Sequence, residues 1–304
     1  MSEHKPIVIV GSISMDMVSS TPKIPAIGET VIGTSFATTP GGKGANQAVA
    51  AARLGYSTHM VGKVGDDAYG PALLAALKQA GVDIDGMGIE PGSSGLAHIF
   101  LAASGENSIV IVQGANGKVD RAHIDRHAEL IRSAGMVLCQ LELPIETTLH
   151  TIELCAAAGV PVMLDPAPSA PLPESIFPKI AWFTPNETEA ALYVQDANDP
   201  ERAAAELLAK GLKGVALKRG AEGAYVATPE RAGWVKPFLV QAIDTVAAGD
   251  CFNGAFAVAL MAGRDPWKAA RFACAASAIS VTRRGAQASM PNRAEVNAFL
   301  ERHP

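Results

Sequence analysis

Cysteine is scarce: Cys139, Cys155, Cys251 and Cys274 lie far apart in 304 residues, with no CxxC pair. That excludes a disulfide framework, and the four read as reduced thiols of a cytoplasmic protein. Long runs of like charge are also missing, and 25 basic against 30 acidic side chains give a net charge of −5. Nucleic acid and anionic membrane are therefore poor partners. The opening MSEHKPIVIVG carries an apolar run of four residues, too short for the core of a signal peptide, and no stretch reaches the length that spans a bilayer. Aromatic residues make up only 5% of the chain, yet 48% of it is hydrophobic and 18% charged, a globular composition with ample length for a buried core. Any phosphate this chain handles must be gripped by local geometry rather than by bulk charge.

Common fingerprints are missing too. GGKGAN superficially suggests a Walker loop but lacks GxxxxGK followed by Ser or Thr, and no GxGxxG follows the first strand, which leaves a dinucleotide fold unsupported. His123 and His127 share a helical spacing but have no HExxH glutamate, and read as two solvated histidines. Asp83 and Asp85 before Gly86 imitate a calcium loop whose twelfth position is Ser94 instead of glutamate. There is no GxSxG elbow.

What is present alternates. The β-branched run from Pro6 to Ser12 predicts a strand buried on both faces. From Met17 to Thr39 short alternations broken by proline and glycine predict a pair of exposed strands. A helix follows over 45–54, a strand over 57–64 and a helix over 67–80. Residues 97–103 and 108–112 flank SGEN and predict a hairpin, which is expected to pair with the first interruption as a small second sheet. Beyond it, helices at 121–133, 146–158, 187–194 and 200–210 alternate with strands at 136–141, 160–164, 180–184, 214–218, 224–227 and 234–238. The last third is helical, at 249–261, 266–282 and 293–302. Strands alternating with helices imply an α/β chain with a mostly parallel sheet covered on both faces.

Four segments carry chemistry. In DTVAAGDCFN, Asp244 to Asn253, small residues precede Asp250 and a long apolar helix. Free N–H groups at a helix start favour an anion, and a carboxylate beside them suits a general base taking a proton from a hydroxyl that attacks a phosphoryl group. The plainer alternative is an aspartate N-cap. In PGGKGAN, Pro40 to Asn46, paired glycines allow close approach while Lys43 and Asn46 offer donors to hydroxyls, or the segment is only a glycine-rich turn. TPNETE, from Thr184, is accounted for structurally by Pro185 in the turn and Asn186 as N-cap, and KRGAEG, from Lys218, by a hairpin turn. All four fall where an open α/β sheet binds ligands, outside the carboxyl ends of its strands.

In order and spacing these segments resemble the ribokinase family of carbohydrate kinases over essentially the whole chain. GGKGANQA, with Gly55 and Gly65 downstream, and DTVAAGDCFNGAFA match the two family signatures; GSISMD, IPAIGET, QLELP, DPAPS, TPNETEA and VTRRGAQ match as satellites. The resemblance implies a ribokinase-like three-layer sandwich forming one domain over 1–304, with a small β-sheet lid from segments of about 16–39 and 97–113. It implies a homodimer through that lid, which would also cover an exposed sheet edge. The implied reaction is ATP-dependent phosphorylation of a sugar, D-ribose at its 5-hydroxyl in the leading reading. Asp250 corresponds to the base and Ala247, Ala248 and Gly249 to the anion hole. Ser14, Asp16, Gly42, Lys43, Asn46 and Glu142 correspond to sugar contacts, and Asn186, Lys218, Gly220, Gly223, Gly249 and Cys274 to the ATP site. Glu189 completes an NxxE motif associated with Mg²⁺ through water. Asp244, Val246, Ser280, Arg283, Gly285 and Ser289 match a monovalent-cation site, expected to hold K⁺ mostly through main-chain carbonyls.

Three departures from the family pattern stand out, and the first bears on substrate choice. Ser14 stands where the family usually has Asn, Lys218 where it often has Thr, and Cys251 and Cys274 replace more usual polar residues. Deoxyribose, another pentose, a ketohexose or a nucleoside are the alternative substrates, and a non-catalytic sugar-binding regulator is the alternative from another class. A nicotinamide enzyme fails on the missing fingerprint.

Overall fold

A computed structural model describes residues 5–303. Its frame is a nine-stranded sheet built from β1 (Ile7–Val10), β4 (Thr58–Gly65), β5 (Asp83–Glu90), β8 (Met136–Cys139), β9 (Val162–Leu164), β10 (Trp182–Phe183), β11 (Val215–Lys218), β12 (Ala224–Thr228) and β13 (Arg231–Val235). The strand order is β13-β12-β11-β10-β9-β8-β1-β4-β5, parallel from β5 to β11 and antiparallel at the β12 and β13 edge. Alternate residues of the apolar strands enter different cores. Ile7 and Ile9 join Met60, Leu138 and Ala216 on one face; Val8 and Val10 join Val61, Val137 and Val215 on the other. The first face is covered by α1 (Lys43–Arg53), α2 (Tyr69–Gln79), α8 (Ala248–Met261), α9 (Pro266–Ser280) and α11 (Arg293–Arg302). The second is covered by α3 (Arg121–Arg126), α4 (Ala128–Ser133), α5 (Ile145–Ala158), α6 (Glu187–Ala190) and α7 (Pro200–Ala209), leaving α10 (Ala286–Ser289) as one turn before α11.

A second sheet has the order β3-β2-β6-β7, from β2 (Ser14–Thr21), β3 (Ser35–Gly41), β6 (Gly95–Ala102) and β7 (Asn107–Val112). Parallel pairing of β2 with β6 joins the two interruptions of the main alternation. Phe36, Ile109, Val110 and Ile111 of this sheet are exposed.

The chain departs from its sequence reading in several places. β5 was not expected: Asp83, Asp85, Gly86 and Gly88 are poor strand formers. Contact explains its glycines, since a Cβ on Gly86 would lie 2.6 Å from the Met60 carbonyl and one on Gly88 3.0 Å from the His123 ring. His123 is accordingly buried rather than solvated. Its Nε2 lies 3.2 Å from the Gly86 carbonyl, and burial, with His127 and Lys63 nearby, lowers its pKa to about 4. The helix expected over 121–133 breaks at His127, whose φ of −108° and ψ of 17° leave helical backbone with no proline or glycine to announce it. The helix expected to reach Val194 ends at Ala190, and the last strand runs over Arg231–Val235 instead of 234–238, in register with β12 from Ala224↔Val235 to Thr228↔Arg231. Among the described residues no helix is long and apolar enough to cross a membrane.

Candidate active site

The order of strands reverses at β1, which has β4 on one side and β8 on the other, and side chains gather at the carboxyl ends around that switch point. β1 leads to Gly11 and Ser12, β8 to Gln140 and Glu142, β9 to Asp165, β10 to Asn186, and β11 ends at Lys218. α1 starts hard against the first of these turns: a Cβ on Gly44 would lie 2.6 Å from the Ser12 nitrogen. Gly42, at φ 89°, supplies the left-handed residue before the helix. Glu142 ties the turns together, accepting from the Ser12 hydroxyl and, at 3.0 Å, from the Lys43 N–H.

Asp250 sits at the third residue of α8, so it is not the N-cap. The N-cap is Ala247, whose φ of 58° makes it the one non-glycine residue with left-handed backbone among those described. Such an outlier at a glycine-poor turn marks a place where geometry is imposed by something other than local preference. The Asp250 carboxylate accepts from Asn46 Nδ2 at 3.0 Å and from Gln47 Nε2 at 3.1 Å. Burial raises its pKa to about 6; Lys43 pulls it down, Asp165 pushes it up, and the two amides lower it. Of the three residues expected to form an anion hole, Ala248 already donates its N–H to the Thr245 carbonyl at 3.2 Å. Gly249 and Asp250 follow in the first turn, where a helix supplies no carbonyl and the macrodipole is positive.

On the side of the small sheet, Asp16 accepts from the Ser14 hydroxyl at 3.2 Å and packs so closely under Gly41 that a Cβ there would collide with its carboxylate. Burial raises the Asp16 pKa to about 6; Ser14 lowers it, while Glu142 and Asp250 add repulsion. Desolvation would lower the pKa of Lys43, but Asp250, Asp165, Glu142 and Glu189 together hold it above the usual lysine range. The buried Asn46 Oδ1 has no hydrogen-bond partner, an acceptor open to a ligand's donor.

On the other side a polar cavity of about 400 Å³, lined by Lys43, Asp165, Asn186, Glu189, Lys218 and the start of α8, adjoins an apolar one of about 310 Å³. Gly220, Gly223, Phe238, Phe252 and Cys274 line the apolar cavity. Cys251 turns its thiol toward Ser280 instead. Asn186 is indeed an N-cap, in a reciprocal capping box with Glu189. KRGAEG is indeed a hairpin turn between β11 and β12, and Gly223 is required there because a Cβ would collide with the Val235 carbonyl. Both local accounts hold, and both segments still line the cavities.

The segments expected to hold a monovalent cation also meet. Asp244 accepts from the Val246 N–H at 3.0 Å and the Gly285 N–H at 2.9 Å, while Ile243 and Asp244 donate to the Val281 carbonyl. Ser280 and Ser289 direct their hydroxyls to the Ser277 and Ala286 carbonyls, and the Arg283 N–H donates to the Ser280 carbonyl.

The Asp250 carboxylate thus lies in the first turn of a helix and lines a polar cavity that adjoins an apolar one. The profile of the pfkB family carbohydrate kinases matches residues 4–293. The chain belongs to this family of carbohydrate kinases. It is 46% identical to a ribokinase of Bacillus subtilis (strain 168), over 97% of this chain and 99% of that one. It is 38% identical to a deoxyribokinase of Salmonella typhi, over 97% and 98%. Among solved structures, an Arabidopsis thaliana ribokinase complexed with ribose and ATP superposes with a TM-score of 0.92 at 35% identity, over 98% and 99% of the two chains.

Within this pfkB-family site, Asp165, Gln140, Ser12 and Gln47 are residues that the sequence does not single out. Asp165 is buried, accepting from Gln47 Nε2 at 3.0 Å and from Lys218 Nζ at 2.8 Å; Gln140 in turn donates to Gln47 at 2.7 Å. The available signal was position: Asp165 opens DPAPS directly after an apolar strand.

Proposed function

We propose that this kinase transfers the γ-phosphoryl group of ATP to the 5-hydroxyl of D-ribose. The observation that carries the reading is the buried Asp250 carboxylate, fixed by Asn46 and Gln47 in the first turn of α8 with sugar-type hydrogen-bonding groups on one side and a nucleotide-sized cleft on the other. Asp250 takes the proton of the attacking hydroxyl, whose oxygen bonds to the γ-phosphorus while the bond from that phosphorus to the β–γ bridging oxygen breaks, and ADP leaves. The N–H groups of Gly249 and Asp250 and the Lys43 ammonium stabilise charge on the transferring group. Asp16, Lys43 and the free Asn46 Oδ1 bind the sugar hydroxyls; Glu142 holds Lys43 through its backbone. The apolar cleft with Gly220, Gly223 and Cys274 takes the base, and Lys218 and Asn186 border the phosphates. Mg²⁺, when bound, neutralises phosphate charge, and the residues present fit an ion that arrives on a nucleotide: Glu189 and Asp165 are two carboxylates, and Mg²⁺ binds through one or two carboxylates plus phosphates and water. Asp244, with the carbonyls of Val246, Ser280, Arg283, Gly285 and Ser289, would hold K⁺ and order the loop before α8.

The chain is read as one domain with the small sheet as a lid, two copies pairing through its exposed apolar strands. Four buried thiols are consistent with a cytoplasmic enzyme.

One observation favours 2-deoxyribose as a second reading: the Ser14 hydroxyl is directed at Asp16 and reaches less far than an asparagine would. A panel of sugars with Mg²⁺-ATP, read by ADP release, tests both. Ribose is expected to give the highest kcat/KM, and Ser14→Asn to widen the ratio of ribose over deoxyribose, since a missing hydroxyl leaves buried polar groups unpaired at about 1–3 kcal/mol each. A native preference for deoxyribose would overturn the ribose assignment and leave the phosphoryl-transfer chemistry standing.

A further inference from the structure

Lys218 is the least expected residue of the site, and its surroundings give it a task. The ammonium lies 2.8 Å from Asp165 Oδ1 and 3.8 Å from Glu189 Oε2, and both carboxylate side chains are largely buried. A Cβ built on Gly249 would lie 3.4 Å from the same nitrogen, so the charge spans the gap between the end of β11 and the first turn of α8. The second oxygen of Asp165 is held by the Gln47 amide, which also donates to Asp250. Both oxygens of Glu189 are held by Asn186, Oε2 by its backbone N–H at 2.7 Å and Oε1 by its side-chain amide at 2.9 Å, so Lys218 meets this carboxylate as a charge only. Two buried carboxylates without a counter-charge are costly; Lys43 faces the pair through space, and Lys218 is the cation in direct contact with Asp165. Among the described residues no group of three or more His, Cys, Asp or Glu is arranged to hold a metal.

We infer that Lys218 is an internal counter-cation that keeps a free divalent ion out of the Asp165–Glu189 pair, so that the metal enters only on a nucleotide. Ammonium and metal compete for the lone pairs of Asp165 Oδ1, and the charge repels a second cation at Glu189: Mg²⁺ needs its ligands at about 2.0–2.1 Å in near-octahedral geometry, which the seated ammonium prevents. Nucleotide phosphates offer the ammonium an alternative partner and carry the metal with them, freeing the carboxylates at the moment the ion arrives. Lys218 is in this sense a positioning residue for metal and phosphate, coupled through Asp165 and Gln47 to Asp250. The inference rests on the kinase reading only in taking a metal–nucleotide complex as the ion's carrier.

The test is titration of the nucleotide-free full chain with Mn²⁺, followed by loss of the free-ion electron paramagnetic resonance signal. The wild-type protein is expected to leave Mn²⁺ free, whereas Lys218→Met gains one site per chain, tighter by about tenfold or more, the scale of removing one like charge ~4 Å from a bound cation. Adding Glu189→Gln to Lys218→Met should abolish that site. Lys218→Gln, which retains a hydrogen-bond donor to Asp165, serves if the methionine variant does not fold. Stoichiometric Mn²⁺ uptake by the wild-type protein overturns the inference whatever the variants do, and so does a folded variant that gains no site. Sugar-dependent ADP release by the wild-type enzyme, measured separately, reports on the kinase reading, so failure of one is distinguishable from failure of the other.

Discussion

Replacing Asp250 by asparagine should stabilise the protein while disabling it. In the folded chain burial holds the carboxyl pKa at about 6 against an ordinary value of 3.8. A raised carboxylate pKa means that ionisation opposes folding: the stability this group contributes is fully present below pH ~4 and is lost as pH rises through about 6. The rise from 3.8 to about 6 corresponds to about 3 kcal/mol at pH ~8, a cost the neutral amide does not carry. Asn46 and Gln47 donate to different oxygens of the carboxylate, and the amide keeps its own oxygen toward Gln47 while its NH₂ faces Asn46. Asn46 can resolve the clash by turning its amide, because its Oδ1 has no partner to lose. Asp250→Asn should therefore be more stable than wild type by up to about 3 kcal/mol near pH 8, with the difference shrinking to nothing near pH 4. With Asp250 as the base we propose, turnover should fall by about 10²–10⁴-fold. Urea unfolding across that pH range and steady-state ADP release measure the two arms. A variant that is less stable at pH ~8, a stability difference that does not change with pH, or unimpaired turnover would each refute the reasoning.

The pH profile of kcat/KM should rise through an apparent pKa near 6, since Asp250 and Asp16, both raised to about 6 chiefly by burial, act in their ionised forms; a profile flat from pH ~5 to ~8 would contradict this. K⁺ should raise activity more than Na⁺ at equal ionic strength, and Asp244→Ala should lose the difference, because that carboxylate joins the loop before α8 to Gly285. An equal response of the wild type to both ions would remove the cation assignment. Gly44→Ala should destabilise by roughly 1–3 kcal/mol in thermal or urea unfolding, as the new methyl meets Ser12 and Gly11 backbone that cannot withdraw.

The alternation of strands and helices, the two interruptions and the position of Asp250 were readable from the chain alone, because they are local: β-branched runs, glycine and proline punctuation, and small residues before an apolar helix. So was the family, since long signatures such as DTVAAGDCFNGAFA survive intact. What proximity decides was not readable. β5 looks like poor strand material and forms because the sheet edge and His123 close around its glycines. His123 itself reads as a surface residue until α3 is laid over that strand. Asp165 and Lys218 lie 53 residues apart, and nothing in either neighbourhood indicates that one neutralises the other. Asp250 and Asn46, 204 residues apart, meet only where α1 and α8 pack side by side on one face of the sheet. Backbone propensity and pattern act over a few residues; the charges and pKa values of the site arise from burial and from partners supplied by other elements, and those exist only once the chain has folded.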